Sequence, residues 1–131
     1  MVDYNGSYTL VSSDNFDEFL KAMGASAVMR TAAQVGKPTI HVSVSGDHWK
    51  LRQTTKLSST SMEFDVGVPR HLSAPGGASV TSVITKERDR LIEKRTGADK
   101  NPETVREFTS SQLKVTLKVD DVVCVRVFQK Q

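Results

Sequence analysis

The sequence predicts an all-β protein: an antiparallel up-and-down barrel of about ten strands, with two short helices inserted after the first strand. Three observations carry this expectation. From Thr39 to the C-terminal end, short alternating stretches recur at roughly 8–12-residue spacing, as in barrels and sandwiches. Their connections are short and rich in Gly, Asp, Ser and Pro, the residues of tight turns. Only the segment after Asp14 changes to a helical period. A sheet of many hairpin-linked strands exposes two edges unless it closes, which favours a barrel.

The first strand is expected over residues 4–13, where Tyr8 and Leu10 alternate with Ser7 and Thr9 and Gly6 gives the backbone room to bend. Phe16, Phe19, Leu20 and Met23 then fall on one helical face, with Asp14 or Asn15 as cap and Gly24 as stop. A second helix is expected over residues 26–34, capped by Ser26, with Val28, Met29, Ala32 and Ala33 free to pack and Gly36-Lys37-Pro38 ending it. Residues 39–45 alternate Ile40, Val42 and Val44 against Thr39, His41 and Ser43; the turn Gly46-Asp47 joins them to residues 48–55 as a hairpin. Further strands are expected over 56–64, 66–71, 79–85, 90–96, 103–110, 112–119 and 122–130. The whole chain, residues 1–131, reads as one domain with a helical lid over about 15–35.

Composition excludes several classes. Apolar residues at 37% and charged residues at 25% describe a globular chain rather than a disordered one. Lys and Arg exceed Asp and Glu by only three, too few and too scattered for a nucleic-acid groove. A lone Cys124 makes no internal disulfide, and no apolar run nears the ~20 residues that span a bilayer. The opening Met-Val-Asp-Tyr-Asn-Gly lacks a basic segment followed by an apolar one, so a cytoplasmic protein is expected. His41, His48 and His71 have no metal-ligand spacing, and no phosphate loop, dinucleotide motif or Gly-x-Ser-x-Gly occurs; no metal or cofactor is expected.

The most informative stretch is the last. Val123, Val125 and Val127 form one face of residues 122–130, while Cys124, Arg126 and Phe128 form the other. Residues 103–110 repeat the pattern with Thr104, Arg106 and Phe108. If these faces point inward, two arginines lie in an apolar interior, where each uncompensated ion costs several kcal/mol. Beside water in a cavity they would instead attract a carboxylate or phosphate. The opposite register, with the valines buried and the arginines solvated, is equally compatible with the bare pattern. No acid lies on the Arg126 face, so the compensating anion comes from another strand or from a ligand.

Several motifs together resemble the intracellular lipid-binding proteins of the fatty-acid-binding protein family, in the heart, adipocyte and myelin-like branch. They are Gly6-Ser7-Tyr8-Thr9-Leu10 followed by Asn15-Phe16-Asp17-Glu18-Phe19-Leu20; Met23-Gly24 with Arg30; Lys37-Pro38-Thr39; Gly46-Asp47; Val105-Arg106-Glu107-Phe108; and Val123-Cys124-Val125-Arg126-Val127-Phe128. The resemblance implies a ten-stranded, lipocalin-like barrel with a two-helix lid and a water-containing cavity. It implies a monomer that binds and transports long-chain fatty acids, the carboxylate held by Arg106 and Arg126. Phe128 stands where the family has a tyrosine hydroxyl. Phe16, Leu20, Met23, Arg30, Pro38, Ile40, Gln53, Thr55, Leu57, Val115 and Leu117 complete the implied ligand path. At the implied portal, Leu57 replaces a common aromatic gate, and Pro69-Arg70-His71-Leu72 and Pro75-Gly76-Gly77-Ala78 depart from the usual acidic, Phe-containing turn and its rim.

Other readings are a carrier for another apolar anion, such as retinoic acid or a bile acid, and a Cys124-dependent esterase. Trp49 and Phe64 on a small barrel could also stack nucleic-acid bases, but core packing is the simpler role. Lys21, Arg30 and Lys37 place positive charge near the lid, suited to transient contact with anionic membranes.

Overall fold

The computed structural model describes residues 2–34, 37–56, 58–73 and 79–131. Its strands are β1 (Gly6–Asp14), β2 (Thr39–Ser45), β3 (His48–Thr54), β4 (Ser59–Asp65), β5 (Arg70–Ser73), β6 (Ser79–Glu87), β7 (Arg90–Thr96), β8 (Glu103–Phe108), β9 (Gln112–Val119) and β10 (Val122–Lys130). The helices α1 (Phe16–Ala22) and α2 (Ala27–Ala33) lie between β1 and β2. All ten strands form one antiparallel sheet in the order β4-β3-β2-β1-β10-β9-β8-β7-β6-β5. Each strand pairs with its sequence neighbour, β1 closes onto β10, and the described ladder is open only between β4 and β5, so the chain forms a nearly closed up-and-down barrel.

β1 can serve two partners because its register shifts between Leu10 and Ser12, turning the strand from β2 towards β10. At the open seam, the Val66 amide donates to the Asp47 carbonyl in the β2–β3 turn and the Gly67 amide to the Ile84 carbonyl on β6, so neither joins β4 to β5. Gly67 has φ +80, favourable for glycine, and the chain turns there. This explains why β5 starts later than alternation suggests, at residue 70 rather than 66; β4 starts at 59 rather than 56 because the Thr55 amide first turns back to the Ser58 carbonyl.

Two departures concern the lid. Asn15 occupies the cap position of α1 in a left-handed conformation, but its side chain donates to the Val123 carbonyl and makes no cap hydrogen bond. Ser26 does cap α2, accepting from the Met29 amide at 3.2 Å. The expected packing of α2, however, is absent: it buries no residue, and Val28 and Met29 are 80% and 61% exposed. Lid position 36, expected to help end α2, lies outside the described residues.

The interior contains two apolar clusters. The larger gathers Tyr8, Trp49, Phe64, Ile84, Leu91, Phe108, Leu113 and Phe128 at one end of the barrel, with Val2 and Tyr4 packed against it. Trp49 lies parallel to Phe64 at a centroid distance of 6.1 Å, so both are core residues. The smaller cluster, Phe19, Val119 and Cys124, sits under α1 with Leu20 and Met23 packed on it. Leu117 packs against both clusters.

Candidate functional site

Between the two clusters the barrel wall turns polar. On β10 the buried sequence is Cys124, Arg126, Phe128, and on β8 buried Thr104 and Phe108 flank a half-buried Arg106 on the same face. Both arginines therefore face inward, and Val123 on the opposite face is 43% exposed. On that outer face Val125 and Val127 are only half-exposed, and Val123, Val125 and Val127 pair across the strand with Lys118, Thr116 and Lys114. Arg106 and Arg126 both register opposite Val115, so they stand two strands apart, about 10 Å between backbones.

Their surroundings differ. Arg106 donates from Nη1 to Glu93 Oε1 at 2.9 Å. Glu93, on β7, is 1% exposed and also accepts from Arg95 Nε at 2.8 Å and Ser82 Oγ at 2.9 Å, with Arg70 Nη2 at 3.6 Å. Burial pushes the Glu93 carboxyl up, but the charges of Arg106 and Arg95 and their hydrogen bonds outweigh it and hold the group down to about 2. The anion for Arg106 is therefore supplied by another strand. Alternation alone left that acid unassigned, although Leu91 two residues earlier marks the same inward face.

Arg126 has no such partner. It is 7% exposed, donates from Nε to Ser13 Oγ at 3.2 Å, and places its guanidinium carbon 3.9 Å from the Phe16 ring centre and 5.8 Å from that of Phe128. Among the described residues no carboxylate lies within 4.0 Å of it, and its pKa is lowered by burial, with Cys124 pulling the other way. A cleft of about 350 Å³ opens beside it, lined by Leu10, Ser13, Phe16, Gln34 and Arg126 among others. Asp17 and Glu18 line the same cleft, but Asp17 is engaged by Arg30 and Gln34, each at 3.1 Å. The site thus offers one buried cation on an aromatic floor, suited to a planar anion. The Cys124 thiol next to it is buried, and burial raises its pKa despite the nearby charge of Arg126, the opposite of an activated nucleophile.

The model of the "Lipocalin / cytosolic fatty-acid binding protein family" matches residues 5–131. The chain belongs to this family. A fatty acid-binding protein from Tyrophagus putrescentiae is 37% identical over 131 residues, covering all of both chains. A cellular retinoic acid-binding protein from Pelodiscus sinensis is 31% identical over 137 residues, again covering all of both. The solved fatty acid-binding protein from brain tissue of Drosophila melanogaster superposes with a TM-score of 0.88 at 34% identity, covering 97% of this chain and 99% of that one.

Within this lipocalin-type barrel the residues singled out from sequence fall into four groups. Arg126, Phe16 and Phe128 meet at the cation just described. Ile40, Gln53 and Arg106 line an inner cavity of about 260 Å³, together with Leu51 and Met62, while Val115 is buried in the larger cluster. Met23 lines a third opening of about 550 Å³ between the end of α1, β5 and the loop after β7, and Leu20 packs beside it in the lid cluster. The remainder stand apart: Pro38 is buried and its carbonyl accepts from the Leu10 amide, Thr55 bonds with Ser58, and Arg30 is tied to Asp17 and the Ala25 carbonyl on the lid. Leu57 and the Pro75-to-Ala78 segment lie outside the described residues. Ser13, Ser82, Glu93 and Arg95 were not foreseen, and Arg70 was singled out only as part of the implied portal turn. No helix among the described residues is long and apolar enough to cross a membrane.

Proposed function

We propose that this protein binds a long-chain fatty acid non-covalently and carries it, as a monomer, through the cytoplasm, with the ligand's carboxylate on Arg126. The observation behind this reading is a guanidinium 7% exposed that has a hydroxyl and an aromatic ring for company but no acid within 4.0 Å among the described residues. Such a charge is costly without an anion, and a carboxylate accepts from it in bidentate geometry. Arg106 has a lesser part than the sequence suggests because Glu93 already neutralises it. The apolar chain supplies most of the affinity: a sixteen-carbon tail is worth roughly 12 kcal/mol at about 0.8 per CH2. Ordering and desolvation costs bring that to about micromolar or nanomolar binding. The reading involves no covalent step; burial leaves Cys124 a packing residue.

The 31% identical retinoic acid-binding relative supports a second reading, a carrier of another apolar carboxylate. Mass spectrometry of an organic extract from gently purified protein, followed by calorimetric titration with oleate and retinoic acid, separates the two. Co-purified fatty acid and tighter oleate binding are expected. Tighter retinoic acid binding would substitute the second reading, and no binding of either acid would contradict both.

The lid is read as the surface that meets anionic bilayers. Val28 and Met29 project from α2, and exposed Lys21 and Lys37 flank it. Arg30 is omitted from this role because Asp17 holds it.

A further inference from the structure

The Glu93 cluster has more donors than the protein answers. Arg95 uses Nε on Glu93 Oε2, Arg106 uses Nη1 on Oε1, and Arg70 donates Nη2 to Ser82 Oγ at 3.2 Å. Each guanidinium carries five N–H donors. Beyond these bonds, the described residues offer only the Glu63 carbonyl to Arg70 at 3.5 Å and the Met62 sulfur to Arg106 at 3.9 Å. Arg70 Nε is buried with no acceptor. Both Glu93 oxygens are already engaged, and three guanidiniums around one carboxylate leave a net charge of +2.

The cluster also joins two spaces. Arg95 lines the opening of about 550 Å³ with Met23, Leu72 and Val80, and Arg106 lines the inner cavity of about 260 Å³ with Ile40 and Met62. Arg126 stands two strands from Arg106, about 10 Å between backbones, so a ligand whose carboxylate it holds can lay its chain along the cluster.

We propose that Arg70, Arg95 and Arg106, organised by Glu93, form a second polar subsite that accepts an oxygen borne on the ligand's own chain, so that the preferred ligand is a hydroxy or keto long-chain fatty acid. The proposal rests on the reading that Arg126 holds the carboxylate. A neutral hydroxyl or carbonyl oxygen accepts guanidinium N–H bonds without a second full charge having to be desolvated. An unsubstituted chain leaves those donors facing methylenes. Sites built to hydrogen-bond a ligand oxygen discriminate against the analogue that lacks it.

The test titrates the full-length protein with stearate and with monohydroxystearates that carry the hydroxyl at successive chain positions. At least one isomer is expected to bind about tenfold tighter than stearate, the size of a hydrogen bond to a charged group. The same ratio is measured in Arg95→Leu and Arg95→Gln, at a side chain one-third exposed on β7, with Arg106 and Arg70 still facing Glu93 in both variants. There it is expected to fall to near one, and because the readout is a ratio, any general loss of affinity cancels. The Arg95 Nε–H NMR resonance of the wild type should shift with the preferred isomer and not with stearate. The proposal is overturned if every isomer binds no better than stearate, or if the preference survives in both variants. Failure of stearate and all isomers to bind would overturn the Arg126 reading, and this one with it.

Discussion

Glu93 and Arg126 are the two residues whose charges decide what the interior does. Glu93 ionises more easily in the folded barrel than in the unfolded chain, where its pKa is near 4.5. Its stabilising contribution is therefore full above about pH 4.5 and is lost as pH falls towards 2. Glu93→Gln removes the carboxylate from among three guanidiniums and should cost about 3 kcal/mol or more at neutral pH, the scale for breaking a buried ion pair. Urea unfolding at a series of pH values should show wild type and variant converging between about pH 4.5 and 2. Parallel curves would contradict the assignment. Phe128 was legible as an inward aromatic beside Arg126, and it lies in the core cluster as a ring without a hydroxyl.

At the scale of elements, strands with clean alternation were read to the residue, and irregular ones were not. β2, β9 and β10 have the expected bounds because a two-residue period fixes them, and β7 has them because turn residues, Arg88-Asp89 before and Gly97 after, delimit it. For β7 the bounds were legible but the inward acid was missed, since Leu91, Glu93 and Arg95 do not look like a core face. The turn at Arg88 and Asp89 nevertheless pairs Glu87 with Arg90 and so places Glu93 opposite buried Ile84. The register thus contained the acid's orientation. In α2 the helical period was real, but the partner surface was not: α1 is only seven residues long, and Arg30 links the pair through Asp17 and the Ala25 carbonyl. If the uncovered Val28 and Met29 meet membranes, a Val28→Asp, Met29→Asp double variant should transfer fatty acid to anionic vesicles several-fold more slowly than wild type. Equal rates would count against docking.

At the scale of the molecule, barrel closure makes the arginines matter. Pairing of β1 with β10 sets Ser13 opposite Arg126 and places α1 over the lid end of β9 and β10, where Phe16 covers the guanidinium. Hairpin spacing made this architecture legible in the sequence, and the repeated Arg–x–Phe pattern made two inward arginines legible. The division between them was not, because it depends on a third strand, β7, whose Glu93 reaches Arg106 and not Arg126. The most direct measurement compares oleate and methyl oleate affinities in wild type and Arg126→Leu. If Arg126 holds the carboxylate, wild type should prefer oleate by about tenfold or more, and the variant should bind acid and ester alike with ester affinity unchanged. A variant that retains the full preference for the acid would contradict the account.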